Sequence, residues 1–323
     1  MKYFKDQEYE NTKKDLWALN LSSSSNASNI NNLNTNVNNL KNNITGENLL
    51  INGDFKINQR GLSSYTTTQK YTVDRWVLRA VSATVQTNGI KLQCVGSGTG
   101  GLNQSIENFE RLYGKTLTLS IKIRAIQGTW ELRATSANHS YNYSNVIAKE
   151  TLSTTGVISK TFYFDNTSIS TYPLFNVGVY YSAENVGDYL EIEYIKLEVG
   201  NAATSLSPRP YSEELRDCQR YYVKCIGSGA YSIFASGMVY TTSKAFVFFP
   251  LVMRTSPTLT SGGTIKLLIS GGYKSISSMA VDCFNSQGFV LTINGSGYTA
   301  GNGALLSTQS DSTAYLAFDS EIN

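Results

Sequence analysis

Tyr194-Ile195-Lys196-Leu197-Glu198-Val199-Gly200, a spacer over 201–206, Ser207-Pro208-Arg209-Pro210 and the run from Tyr211 to Tyr222 decide how this chain divides. The first seven residues alternate and are β-prone, so they read as a closing strand. Two prolines with fixed φ and no amide donor then prevent the sheet from continuing, and the chain leaves the domain extended. Ser212-Glu213-Glu214 offers an oxygen-bearing N-cap with acids in the first turn. Leu215, Cys218 and Tyr222 follow at spacings of three and four, one face of a short helix that docks on something below it.

On either side of this joint the pattern is β. Residues 47–200 read as one domain of jelly-roll size, with alternating strands at Asn48 to Ile57, Trp76 to Ala83, Ile90 to Val95, Leu117 to Ala125, Trp130 to Ala134, Lys160 to Phe164, Asn176 to Tyr181 and Leu190 to Leu197. In Thr116 to Arg124 the apolar residues Leu117, Leu119, Ile121 and Ile123 share one face, the signature of a strand buried on one side. Asp74-Arg75-Trp76 reads as structural, an ion pair beside a large core aromatic. Beyond the linker and helix of 201–225, residues 226–323 form a smaller sandwich of short strands between Gly and Ser turns such as Gly271-Gly272 and Asn294-Gly295. Its expected core is Phe246, Phe248, Leu267, Ile269, Val281, Phe289, Leu291, Leu316 and Phe318.

Toward the N-terminus the period changes. Ile30, Leu33, Val37, Leu40 and Ile44 recur at alternating spacings of three and four, the seam of a short coiled coil over 26–46. Ile30, Val37 and Ile44 take a positions and Leu33 and Leu40 take d, a choice that favours two strands in isolated parallel coils. An amphipathic helix packed on its own domain is the single-chain alternative. Residues 1–25 combine Leu16, Trp17 and Leu19 with charge, then a Ser/Asn-rich lead-in, and suit a short element that docks elsewhere.

Composition narrows the function classes. Charged residues are 16% of 323, with 26 Gly and 21 Tyr, which favours strands and turns, and a mainly β protein is expected. A net charge of +3 without a basic cluster interleaved with aromatics lacks the field of a nucleic-acid binder. The longest apolar run, Ala245 to Met253, is broken by Pro250 and falls short of the roughly 20 residues of a membrane helix, so no span is expected. Met1 to Asp6 opens with charge and shows no signal-type apolar stretch, which points to synthesis in a cytoplasm. The four cysteines Cys94, Cys218, Cys225 and Cys283 are too far apart for Cys-x-x-Cys motifs and read as buried thiols.

Three blocks, in this order, carry a resemblance. Asn48-Leu49-Leu50-Ile51-Asn52-Gly53-Asp54-Phe55-Lys56-Ile57-Asn58-Gln59-Arg60-Gly61 with Tyr71 to Trp76 is one; Leu197 to Gly200 with Pro208-Arg209-Pro210-Tyr211 and Cys218 to Tyr222 is the next. The third is Phe246 to Thr258 with Ala314 to Glu321. Together they resemble tail-fibre and receptor-binding proteins of tailed bacteriophages and phage-derived bacteriocins, over residues 48–323. The resemblance implies a carbohydrate-binding-module-like jelly roll, a distal tip domain that meets the cell surface, an N-terminus that attaches to other virion tail or baseplate proteins, and a homotrimer. Three strands are therefore expected of the coil, since a segment about 22 Å long built from poor helix formers such as Asn does not set the oligomer state. Related modules often hold a structural calcium, but Lys56 and Lys196 stand where acids would ligate it, and an ammonium cannot ligate a hard cation. No metal or cofactor is expected.

Sugar recognition needs aromatic platforms ringed by amides and hydroxyls. Candidates are Trp130 with the loop residues His139, Tyr141 and Tyr143, and, in the tip, Tyr231, Tyr240, Tyr273 and Tyr298; packing against a neighbouring subunit explains the loop equally well. Chemistry is sparse. There is one histidine, no Gly-x-Ser-x-Gly elbow and no phosphate loop, while Gly96 to Gly101 reads as a loop. Acid pairs such as Glu191 and Glu193, on one strand face, suit a glycosidase in principle, although exposed strand carboxylates are far commoner. The expected protein is a non-enzymatic, virion-tail adhesin for a bacterial surface glycan. A polysaccharide-degrading tail protein and a purely structural fibre or collar protein are the alternatives.

Overall fold

The computed structural model describes residues 2–43, 46–66, 70–96, 99–138, 143–169, 173–182 and 185–322, with the side chains of 2–9, 35–43, 70, 143–144 and 182 excepted. The chain forms two units, one of Met1–Glu47 with Thr204–Ser207 and one of Asn48–Ala203 with Pro208–Asn323. In the first, Lys2–Asn43 is a single helix, α1, without a break near residue 25. The Ser/Asn stretch expected as a lead-in therefore continues the helix. Leu16, Trp17, Leu19, Leu21, Ile30 and Leu33 are all exposed. The heptad positions Val37 and Leu40 fall within α1, their side chains outside the described set, and Ile44 lies outside the described residues altogether.

The second unit contains both β regions. Its first sandwich has two antiparallel sheets of six strands. One runs Ser64–Tyr65, Val81–Gln86, Gly89–Cys94, Tyr189–Val199, Lys115–Gln127 and Gly156–Phe164 in lateral order. The other runs Lys70–Tyr71, Val77–Arg79, Thr99–Ile106, Leu174–Ser182, Trp130–Ala137 and Tyr143–Leu152. Leu117, Leu119, Ile121 and Ile123 face inward as their alternation requires, beside Leu197 and Ile195 of the closing strand. Two expectations fail here. Gly100 and Gly101 belong to a strand, because a residue without Cβ lets the neighbouring strand approach: a Cβ on Gly101 would stand 2.0 Å from the Val179 carbonyl oxygen. Asn48 to Ile57 is no strand, since Asn52 and Phe55 take left-handed φ of 57° and 62°. The Asn52 amide instead ties the turn together, donating to the carbonyls of Ile57 and Asp74 at 2.8 and 2.9 Å and accepting from the Ile57 N–H at 2.9 Å.

Helix α2 spans Tyr211–Gln219 and starts one residue before the expected cap, with Pro210 at the N-cap and no side-chain cap. The Pro210 carbonyl accepts from the Glu213 and Glu214 N–H groups at 3.0 and 3.1 Å, and Ser212, inside the first turn, does not act as the cap. Cys218 is its deeply buried residue, and Cys94 is buried as expected, whereas Cys225 is half-buried and Cys283, at a left-handed bulge of an edge strand, is exposed. Glu214 takes the Asn52 N–H and the Arg209 guanidinium, the latter at 3.0 Å.

The second sandwich begins at Tyr222, four residues earlier than expected. Its three-stranded sheet runs Tyr222–Ile226, Tyr315–Asp319 and Thr258–Gly262. Opposite lies a seven-stranded sheet in the order Gly272–Lys274, Ile265–Ile269, Gly303–Thr308, Ile233–Val239, Lys244–Phe249, Gly288–Gly295 and Ile276–Asn285. Leu267, Ile269, Phe289, Leu291, Leu316 and Phe318 form its core as expected. Phe246 and Phe248 do not: Ala245, Val247 and Phe249 point inward, so the two phenylalanines lie on the outer face, and Val281 is only half-buried. A run in which both parities are apolar gives alternation nothing to choose between.

The two sandwiches meet in a polar, buried joint. Asp74 and Arg75 are fully enclosed beside Trp76, and neither pairs with the other. Arg75 pairs with Glu321, donates to the Ser105 carbonyl at 2.8 Å and lies 3.6 Å over the Tyr221 ring. Arg60 stands 3.8 Å over Tyr222, with Asp74, Asp319 and Glu321 at 3.6, 3.5 and 3.6 Å. Tyr71 Oη donates to the Ile322 carbonyl at 2.7 Å, and Tyr221 Oη to Glu107 at 2.6 Å. Tail residues of the second sandwich are thus bonded into the first, which makes the joint stiff.

Desolvation pushes the Asp74 carboxyl up to about 6, against the opposing pull of the Gln59 donors and Arg60. An acid whose folded pKa exceeds its unfolded value holds its proton better when folded, so its contribution is full below about pH 4 and is lost as pH rises through about 6. Over that window the shift corresponds to at most about 3 kcal/mol. Urea denaturation from pH 4 to 7 should therefore show wild-type stability falling relative to Asp74→Asn. Parallel pH profiles for the two proteins would contradict this.

Candidate functional site

The expected sugar-contacting residues scatter. Trp130 is completely buried in the first sandwich, its ring 4.8 Å from Tyr181 and its Nε1–H donating to the Gln127 carbonyl at 3.1 Å. It is core and not a platform, because its strand parity points it between the sheets. His139 and Tyr141 lie outside the described residues, as does the side chain of Tyr143. Tyr298 is buried in the second core and donates to the Ser275 carbonyl at 3.3 Å, which removes it as well.

Tyr231 and Tyr273 do come together. Their ring centroids are 6.2 Å apart with planes inclined at 37°, and Tyr231 is 61% exposed. Tyr273 sits on the short strand Gly272–Lys274, reached through Gly271 and Gly272 at φ of 95° and 100°, a turn that only glycine makes without strain. On the other side, Ser232 fixes the turn before Tyr231: its hydroxyl accepts from Gly229 N–H at 2.8 Å, and its own N–H donates to Thr308 Oγ1 at 2.8 Å. The Tyr231 hydroxyl meets Ser310 Oγ at 3.1 Å. Ser310 is held in a left-handed turn by its neighbour Asp311, which accepts from Thr264 N–H, Thr313 N–H and Thr313 Oγ1 at 2.7, 2.8 and 2.7 Å. Those bonds, the Thr313 hydroxyl first, lower the Asp311 carboxyl's pKa. The result is two tyrosine rings with the Ser310 hydroxyl beside one of them, on turns held by their own hydrogen bonds. Ser310 and Asp311 were not singled out from the sequence, although Asp311-Ser312-Thr313 carries the signature of a local Asp turn.

Tyr240 stands apart on the same outer sheet face, its ring 5.4 Å from Phe246. A second polar cluster lies on the outer face of the first sandwich, where Ser105 Oγ donates to Asn176 Oδ1 at 2.6 Å. There both polar atoms of the Asn103 amide and the Asn176 Nδ2 are buried without a protein partner among the described residues. This cluster is closed to solvent, whereas the tyrosine pair is open.

The acid pair offers no glycosidase. Glu191 pairs with Lys91 at 3.4 Å and Glu193 with Lys122 at 2.9 Å, so each member of the pair is engaged by a lysine on its own sheet. Lys56 pairs with Asp54 at 2.6 Å and Lys196, fully buried, with Glu198 at 3.1 Å. Among the described residues no group of three or more His, Cys, Asp or Glu could hold a metal, and no helix is long and apolar enough to cross a membrane.

No family model matches the chain, and no curated protein does. Solved structures overlap about half of it. A CBM4 domain is 12% identical over 46% of this chain and 98% of its own, with a TM-score of 0.31. The CBM22-1 xylan-binding domain from Paenibacillus barcinonensis Xyn10C is 13% identical over 49% and 98%, at 0.29. The Stig cyclase Fisc from Fischerella sp. TAU is 11% identical over 49% and 100%, at 0.31. These superpositions are loose.

Proposed function

We propose that this protein is a non-enzymatic adhesin of the phage tail-fibre kind, which attaches a virion tail to a bacterial surface glycan through several linked copies of its second sandwich. The observation that carries the reading is the pair of the exposed Tyr231 and the half-buried Tyr273, with the Ser310 hydroxyl beside it. Pyranose rings present apolar C–H faces and equatorial hydroxyls, and such a platform meets both. The fibre identity draws on the resemblance of the three sequence blocks, and the homotrimer on that resemblance and on α1, which exposes Leu16, Trp17, Leu19, Leu21, Ile30 and Leu33. Virion attachment through the N-terminal helix belongs to the same reading.

Each site is small, so a single contact is weak. Linkage of copies raises the local concentration of the second and third sites and turns weak contacts into durable adhesion. Incubation of the purified protein with host wall glycans tests this: retention without new reducing ends is expected. Release of sugar products would overturn the non-enzymatic assignment, and absence of retention would overturn adhesion.

A further inference from the structure

We infer that a cleft at the edge of the second sandwich, between the strands Thr258–Gly262 and Ile276–Asn285, is a subsite for an uncharged sugar residue of the glycan that stacks on Tyr231 and Tyr273. The inference rests on the tyrosine-pair reading above and adds a second contact and the kind of sugar it takes.

The cleft has a volume of about 290 Å³, at the foot of the range of roughly 300–1,000 Å³ usual for ligand sites, and so suits a small ligand. Its base is apolar: Leu259, Ile265, Ile276 and Met279 are half-buried and pack against the core of the sandwich. Its rim is polar. Ser261 and Ser277 are exposed there, and neither hydroxyl has a partner among the described residues, whereas the neighbouring Ser278 accepts from Asn294 Nδ2 at 2.9 Å. The two strands that carry these serines each form the edge of their sheet, and an edge leaves backbone N–H and C=O groups unpaired. An apolar base takes the C–H face of a pyranose, and a rim of hydroxyls and backbone groups both donates to and accepts from its hydroxyls.

A peptide strand added to this edge would need a regular register, which Ile276–Asn285 lacks. Pairing with Gly288–Gly295 skips Ser277 and is broken again between Asp282 and Asn285, where Cys283 takes φ of 47°. Bulges of this kind terminate pairing and re-aim side chains.

Charge selects a neutral sugar. Among the described residues no ionisable side chain lines the cleft. Two stand close by and both are engaged: the Lys266 ammonium donates to Ser275 Oγ at 3.1 Å, and the Asp311 carboxylate accepts from Thr264 and Thr313. A uronate or phosphate in the cleft would be desolvated without a cation to pair with. The loop that holds Tyr231 also reaches the cleft. Asp311 follows Ser310, the partner of the Tyr231 hydroxyl, and the Thr264 N–H that it accepts at 2.7 Å lies between the lining residues Gly263 and Ile265. Gly263, at φ of 75°, permits that approach, because a Cβ there would stand 2.6 Å from Asp311 Oδ2. Neighbouring residues of one oligosaccharide thus meet the rings and the cleft together.

Titration calorimetry of the full chain with sized oligosaccharide fractions from acid-hydrolysed host wall glycan tests this. The neutral tetrasaccharide fraction should bind about tenfold more tightly than the neutral disaccharide fraction, since the second contact acts at a raised effective concentration. Ser277→Phe fills the cleft from a position outside the strand pairing and should remove that advantage while Tm and disaccharide affinity hold. Ser261→Phe, from the opposite wall, should do the same. A tetrasaccharide advantage that survives both variants, or is missing from the wild type, would overturn the subsite and leave the tyrosine pair standing. A larger advantage for uronate- or phosphate-bearing fractions would overturn the neutral-sugar assignment. Binding of neither fraction by the wild type would overturn the tyrosine reading, and this inference with it.

Discussion

Glu321→Ala should cost about 3–5 kcal/mol of stability, the usual result of removing one member of a buried ion pair. The side chains of Arg75 and Glu321 are both enclosed. Burial alone lowers the Arg75 pKa, but Glu321, then Tyr71 and Tyr221, more than reverse it, so the guanidinium is held charged. Without Glu321 that charge keeps one hydrogen bond to the Ser105 carbonyl and the face of Tyr221, while its Nε is already unpartnered. Water cannot reach it, and a guanidinium does not escape by losing its proton. Glu321→Gln keeps the acceptor and loses the charge, so a smaller loss, about 1.5–3 kcal/mol, is expected. The pair Arg75→Met with Glu321→Leu should recover most of the stability, because two uncharged side chains of similar size remove the desolvation cost together. Urea denaturation of the three variants measures all of this. A Glu321→Ala midpoint equal to wild type would show that the joint relaxes to admit water and that the two sandwiches are not rigidly coupled.

This joint was legible in part. Pro208 and Pro210 mark the end of one sheet, and Asp74-Arg75-Trp76 stands out as a structural cluster, because local rules reach that far. The partners of Asp74 and Arg75 are another matter. Arg60 and Glu321 lie 14 and 246 residues away, and no periodicity links them. Strand parity failed where it carries least information: Phe246 and Phe248 in a run apolar on both sides, and Asn48 to Ile57, where Asn52 and Phe55 leave the β region. Among the aromatics, Tyr231 and Tyr273 could be picked out as surface candidates but not as a pair, since their approach depends on a glycine turn in one strand pair and a serine turn 42 residues before it. Trp130 and Tyr298 have the same composition signal and are core, Trp130 because its strand turns it inward and Tyr298 because the loop after Gly288–Gly295 folds it under, bonded to Thr242 and Ser275.

Replacing both Tyr231 and Tyr273 by Ala should reduce retention on host glycan by about 10²–10⁴-fold while leaving the fold intact. A well-placed aromatic at a binding centre is worth about 2 kcal/mol, or roughly thirtyfold in affinity for one site. Loss at one site is multiplied when several must hold at once, which is what separates an avidity-driven adhesin from a single-site binder. Single replacements should fall between, and Tyr231→Phe should keep most of the binding, since its hydroxyl is engaged with Ser310 and the stacking surface survives. Stability should hardly change because Tyr231 is mostly exposed and Tyr273 half-buried. Retention of the full protein and of the double variant on intact cells, beside their Tm values, makes the comparison. Undiminished binding by the double variant would move the receptor contact away from this sandwich edge and leave the first sandwich as the place to look for it.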